Sequence, residues 1–101
     1  MHIVVLFNLK PGVTVADYEA WARTSDIPGV RAIPSVTAYD VHRVTGLFGS
    51  DDKPPYQYIE HIQLNGMDGF VADIQAPAVQ TVVAQFGEMA DNPIFLLAED
   101  L

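Results

Sequence analysis

Residues 2–9, HIVVLFNL, are β-branched and aromatic and run into Lys10-Pro11-Gly12. That pattern predicts a buried strand closed by a turn. Thr14 then stands as an N-cap with Asp17 three residues on, and Val15, Tyr18, Trp21 and Ala22 recur at helical spacing. A helix over Val15–Thr24 is predicted. Two prolines punctuate the segment Asp26–Pro34, which reads as a short helical turn leading into a second strand over Ser35–Thr45. Gly46–Pro55 is rich in glycine and proline without a period, so it is a flap between strands, with Leu47 and Phe48 at its tip expected to fold back over the protein.

A third strand, Tyr56–Leu64, alternates and stops at Asn65-Gly66. Met67–Ile74 and Ala78–Ala90 then form a helix interrupted near Pro77, with Val79, Val82, Val83, Phe86 and Met89 as its buried stripe. Asp91-Asn92-Pro93 ends that helix and Ile94–Ala98 is the last strand. The order is β-α-β-β-α-β, and Asn8–Gly12 is faintly repeated by Gln63–Gly66 at the same point of the second half. The predicted fold is α+β and ferredoxin-like, a single domain over residues 1–101 with a four-stranded antiparallel sheet and both helices on one face.

Side chains alternate across a strand, so parity assigns faces. In the first strand Ile3, Val5, Phe7 and Leu9 are wholly apolar and should face the helices. In the third the even set, Tyr56, Tyr58, Glu60, Ile62 and Leu64, is the more apolar, which points Glu60 inward. The second strand is ambiguous. Should Tyr39 and Arg43 share the face of Tyr58 and Glu60, an arginine, a carboxylate and two phenols gather beside Trp21. The opposite face keeps Val4, Leu6, Ile59, Val36 and Val44, more apolar surface than a monomer carries comfortably, so the open sheet face is expected to form a homodimer.

Half of the residues are hydrophobic and only 18% are charged, a balance that supports a buried core. Net charge is −8, and all of the excess lies after Ser50. Such a surface repels nucleic-acid phosphates and anionic lipid, so neither nucleic acid nor membrane is an expected partner. With no cysteine there is no disulfide, thiolate nucleophile or thiolate metal site. The N-terminal segment lacks a signal peptide's basic region, and a cytoplasmic protein is expected.

Glu60 is the most informative residue, because burial can raise a carboxyl pKa by roughly 3 to 5 units when no cation compensates. It reads either as half of a structural ion pair with Arg43 or as a general acid or base. Arg43 offers a fork of donors to a developing oxyanion. Tyr58 completes the candidate catalytic set. Trp21, Tyr39, Phe48 and Phe86 are candidate substrate-binding residues, as stacking surfaces for a planar aromatic ligand or as plain core, with Phe48 as a lid. His42 and His61 lie on the opposite parity, toward the expected dimer interface. Three scattered histidines without matched spacing make no metal site, and Gly46-Leu47-Phe48-Gly49 feeds no helix, so it is not a phosphate loop.

Tyr18-Glu19-Ala20-Trp21-Ala22-Arg23, Val44-Thr45-Gly46-Leu47-Phe48-Gly49, Pro54–Glu60 and Ala90-Asp91-Asn92-Pro93 are similar to the RedY and HapK group of the dimeric α/β-barrel superfamily, and the resemblance spans nearly the whole chain. It implies a cofactor-free role in condensation or cyclisation of an aromatic, pyrrole- or indole-type intermediate, as in pathways to prodigiosin-type pigments. The plant-type polyketide cyclases of the superfamily carry His-Pro-x-His on the second helix, where this chain has Ala76-Pro77-Ala78-Val79, and their other histidines fall on Ile3 and Tyr58. Their histidine mechanism therefore does not transfer. The expectation is a small homodimeric enzyme without metal or organic cofactor; a non-catalytic carrier of a reactive intermediate and a cofactor-free monooxygenase are the alternatives.

Overall fold

A computed structural model describes Met1–Leu101. The strands are β1 (His2–Leu9), β2 (Val36–Arg43), β3 (Tyr58–Leu64) and β4 (Ala90–Ala98). The helices are α1 (Val15–Trp21), α2 (Ile27–Arg31), α3 (Met67–Asp73) and α4 (Pro77–Met89), with a π-helical turn over Ala22–Asp26 joining α1 to α2. The strands form one antiparallel sheet in the order β2-β3-β1-β4. This is the predicted ferredoxin-like arrangement, with β1 and β3 central. Thr14 caps α1 as expected, its hydroxyl accepting from the Asp17 amide at 3.1 Å. No helix is long and apolar enough to cross a membrane.

Parity holds on the central strands. Ile3, Val5 and Phe7 are buried from β1, and Tyr58, Glu60, Ile62 and Leu64 from β3. On β2 the register resolves the ambiguity: Tyr39 pairs with Ile62, Val41 with Glu60 and Arg43 with Tyr58, so these residues share the helix-side face. A bulge between Val36 and Ala38 sets two residues of β2 against one of β3. It turns Val36 onto the helix-side face beside Leu64, where it packs on the core rather than on the open face as its parity suggested.

Three other expectations are corrected. Asp91-Asn92-Pro93 does not separate helix from strand; the helix stops at Met89 and β4 begins at Ala90, with the three residues inside it. The strand tolerates them because it is an edge, where Pro93 withholds no ladder hydrogen bond, and because Asn92 adopts a positive φ of 44° at a bulge opposite Leu6–Asn8. Phe48 does not fold back. Leu47 bridges Ser50 in a tight turn with Gly49 at φ 78°, and this closure holds the Phe48 ring at the apex, wholly exposed. The apolar stripe of α4 is not sealed against the sheet either. No residue of α4 is fully buried and Val83 is 54% exposed. Phe86 meets Phe7 edge-on at 4.9 Å, while much of the remaining stripe lines a chamber.

The open face of the sheet leaves Ile94 and Leu96 of β4 exposed. Beside them His2 and His61 stack at 4.9 Å, joined by a hydrogen bond of 2.9 Å between His2 Nδ1 and His61 Nε2. His2 Nε2 reaches Asp100 at 2.7 Å.

Candidate functional site

The chamber lies between the sheet and the helices. It has a volume of about 300 Å³, is partly open to solvent, and is walled chiefly by apolar side chains, among them Val30, Ile74, Val82, Phe86 and Phe95. Three polar groups reach it, Asp26, Tyr39 and Glu60, and no lysine, arginine or histidine does.

Glu60 gets there by strand alternation. It sits in central β3 with Val5 and Val41 as its cross-strand neighbours, so its carboxyl rises from the middle of the sheet. Only 5% of it is exposed, and Oε1 has no hydrogen-bond partner. Burial first, and the charge of Asp26 second, push its pKa up to about 8, with the Tyr39 hydroxyl acting in the opposite direction. Near neutral pH this side chain is mostly a carboxylic acid, able to donate as well as accept.

Asp26 arrives by a different device. Pro28 has no N–H to offer the Thr24 carbonyl one turn back, which weakens the α-helical ladder here. The turn widens, and the Ile27 amide bonds five residues back to Ala22. In a wider turn, residues four apart stay nearly in line. Tyr18, Ala22 and Asp26 all point inward and are buried. The Asp26 carboxylate accepts from the Tyr39 hydroxyl at 2.7 Å. Its pKa rises to about 6, burial outweighing that hydrogen bond. Tyr39 is itself raised above its ordinary value by burial and by the charges of Glu60 and Asp26. The Tyr18 phenol feels the same two carboxyls, is raised likewise, and has no hydrogen-bond partner.

Arg43 does not pair with Glu60. The register sets it beside Tyr58, two residues from Glu60's own cross-strand neighbour Val41, at the end of the sheet where α1 passes. There it grips Glu19 in a two-pronged ion pair, Nε to Oε2 at 2.7 Å and Nη2 to Oε1 at 2.9 Å. The Tyr58 hydroxyl donates to the same carboxylate at 2.8 Å, and Arg23 approaches it at 3.2 Å. These donors hold the Glu19 carboxyl down to about 2. Burial and the Glu19 carboxylate push Tyr58 up to about 12. This second cleft, of about 180 Å³, includes Tyr18, Glu19, Arg43 and Tyr58.

The predicted set therefore divides. Glu60, Tyr39 and Phe86 line the chamber, and Arg43 and Tyr58 line the neighbouring cleft. Trp21 lines neither; its indole N–H donates to Gln85 at 2.9 Å and ties α1 to α4. His42 is exposed, while His61 is partly buried in the open-face pair with His2. Sequence reasoning missed Asp26 and Glu19. The signals were the four-residue spacing of Tyr18, Ala22 and Asp26 ahead of Pro28, and the i,i+4 pair Glu19–Arg23. No group of three or more histidine, aspartate or glutamate side chains is placed to hold a metal ion.

An antiparallel sheet in this order, helices on one face, and a carboxyl-bearing, largely apolar chamber between the layers define a small ferredoxin-like protein. A family model described as REDY-like protein HapK matches residues 1–101, and the chain belongs to that family. Its fold is shared with HapK from Hahella chejuensis at 25% identity and a TM-score of 0.76, over 100% of this chain and 93% of that one. A dimeric ferredoxin-like protein of unknown function from Thermobifida fusca matches at 24% identity and TM-score 0.71, covering 94% and 85% of the two chains. SnoaB, a cofactor-independent oxygenase from Streptomyces nogalater, matches in fold at 14% identity and TM-score 0.69, over 99% and 93%. No curated protein matches the sequence.

Proposed function

We propose that the protein is a cofactor-independent, homodimeric catalyst of secondary metabolism that holds a flat aromatic intermediate, pyrrole- or indole-type, in the Glu60 chamber and promotes its condensation or cyclisation by proton transfer. The observation that carries the reading is Glu60 itself: a buried carboxyl, protonated near neutrality, with an unpartnered oxygen, in a chamber whose other polar groups are Asp26 and Tyr39. Buried polar groups are ordinarily paired, so an unpaired carboxyl oxygen on a chamber residue supports a ligand's polar atom as its partner.

In a condensation, Glu60 gives its proton to a carbonyl oxygen as the carbonyl carbon bonds to a ring carbon of the second partner. The hydrogen displaced from that ring carbon passes to a carboxylate, which Asp26 supplies. Asp26 passes that proton to the new hydroxyl, water leaves, and the delocalised cation that remains gives up an N–H proton to Glu60, which restores both carboxyl groups. Electrons balance without an oxidant or reductant. Tyr39, fixed by Asp26, orients the aromatic body, and the Phe86 face packs on it. Arg43 and Tyr58, bound to Glu19, are positioning residues that fasten α1 and the Tyr18 it carries. The homodimer forms through the open sheet face, where Ile94 and Leu96 are exposed, in keeping with the dimeric ferredoxin-like relative.

The test is condensation of pyrrole-2-carboxaldehyde with 2,4-dimethylpyrrole, followed as the visible colour of the dipyrrin product. Acceleration over buffer by the wild type, lost in Glu60→Gln, supports the reading. Saturable binding of these pyrroles with no acceleration makes the protein a carrier, and no binding at all removes the chamber as a site. The likeness to SnoaB favours an oxygenase as the second reading; oxygen consumption with a quinol substrate, unchanged by added metal chelator, is its signature.

A further inference from the structure

The charge inventory of the chamber is one-sided. Asp26 and Glu60 face it, and no cation does. Around Glu60 the other ionisable groups are Tyr39 on β2 and Tyr18 on α1, both phenols held above their ordinary pKa. The chamber residues of the other elements are apolar: Val5 on β1, Phe70 on α3, Val82 and Phe86 on α4, Phe95 on β4. Of the nearby cations, Arg43 is committed to Glu19 outside, and Arg31 on α2 to the Tyr39 carbonyl and Asp40. A buried carboxyl pair with a single phenolic donor and an orphaned oxygen lacks positive charge and N–H donors.

We infer that the chamber selects a flat, positively charged ligand bearing N–H donors, such as an amidinium, an iminium or a protonated azaheteroaromatic ring, with Glu60 and Asp26 as its counter-charges. An anionic ligand would meet the Asp26 carboxylate in a medium of low dielectric and is disfavoured. A neutral aromatic fills the walls but leaves the Glu60 oxygen without a strong donor. Charge-assisted N–H···O bonds to carboxylate are roughly twice as strong as neutral ones. The inference rests on the chamber being the ligand site, and it adds the charge of the ligand. It also explains how acid catalysis would be sustained, since loss of water from a bis-pyrrole carbinol produces a delocalised cation of this kind.

A second consequence is proton release. Glu60 holds its proton up to about pH 8 in the empty chamber. A bound cation favours the carboxylate, so at neutral pH binding expels close to one proton and affinity rises with pH toward 8.

Benzamidinium, benzamide and benzoate are three planar probes of nearly one shape and three charges. Calorimetric titration of the intact protein is expected to give at least tenfold tighter binding of benzamidinium than of benzamide, and no binding of benzoate. Titrations in buffers of different ionisation enthalpy read the released proton directly. Glu60→Gln is expected to lose both the preference and the release, whereas Asp51→Asn, a change of an exposed acid far from the chamber lining, keeps them. Equal affinity for benzamidinium and benzamide, or tighter binding of benzoate, overturns the charge inference and leaves the chamber as a ligand site. Binding of benzamidinium without proton release overturns the assignment to Glu60. If none of the three probes binds, the charge inference and the chamber reading both fall.

Discussion

Replacing Glu60 by glutamine tests the electrostatics of the chamber without any ligand. The unfolded chain holds this proton only up to about pH 4.5, the ordinary carboxyl value, and the folded chain holds it up to about pH 8. Between these limits the folded state binds more protons than the unfolded state. Stability therefore falls as pH rises through the window and levels off above it. At about 1.4 kcal/mol per unit of displacement, the wild type loses roughly 3 to 4 kcal/mol between pH 5 and pH 8 from this residue alone. For a domain of this size that is a fall of roughly 15 °C in Tm. Glutamine matches the volume of glutamate and has no proton to lose, so Glu60→Gln should be little changed near pH 5 and more stable than the wild type near pH 8. Asp26 adds its own loss in both proteins, from its ordinary 3.8 up to about 6, so the contrast is cleanest above about pH 7. Thermal unfolding at fixed protein concentration, every half unit from pH 5 to 8.5, is the assay. Parallel curves for the two proteins would show that Glu60 is not a buried acid and would refute the reasoning.

Tyr39→Phe removes the only hydrogen bond to the Asp26 carboxylate, and chemical denaturation near pH 7 should show a loss of about 1 to 3 kcal/mol that shrinks below pH 5, where Asp26 is neutral; a loss independent of pH would assign the effect to packing instead. Pro28→Ala returns an amide to the Thr24 carbonyl, so the turn should tighten and swing Asp26 away from Tyr39; a structure of the variant that keeps the bond from Ile27 to Ala22 and Asp26 on Tyr39 would remove the proline as the cause. Leu96→Glu places a charge on the open sheet face and should yield monomers by sedimentation where the wild type forms dimers; a wild type that sediments as a monomer ends the dimer proposal. Phe48→Ser should move stability by no more than about 0.5 kcal/mol, since the ring contacts solvent, and a larger loss by calorimetry would mean that something covers it.

Much of the architecture was legible in the sequence because the signals are local. A period of two decides which side of a strand is buried, and on β1 and β3 it placed Ile3, Val5, Phe7, Tyr58 and Glu60 toward the helices. Thr14 marked the start of α1 through a bond to an amide three residues away. The inward aim of Glu60 followed from the same alternation, since its apolar neighbours on the even parity left it no other face.

What surrounds Glu60 was a tertiary matter. Its partner across β2 is set by register, and one bulged residue after Val36 decides which β2 side chains face the helices, a choice that neither strand contains alone. Arg43 belongs to Glu19 because the sheet edge and α1 converge there, although the two lie far apart in sequence. Asp26 enters the interior from a widened helical turn that stands just ahead of Pro28. The chamber exists because α4 stands away from the sheet. An apolar stripe looks the same in sequence whether it is pressed into a core or left to wall an empty space, and only the distance between layers tells the two apart.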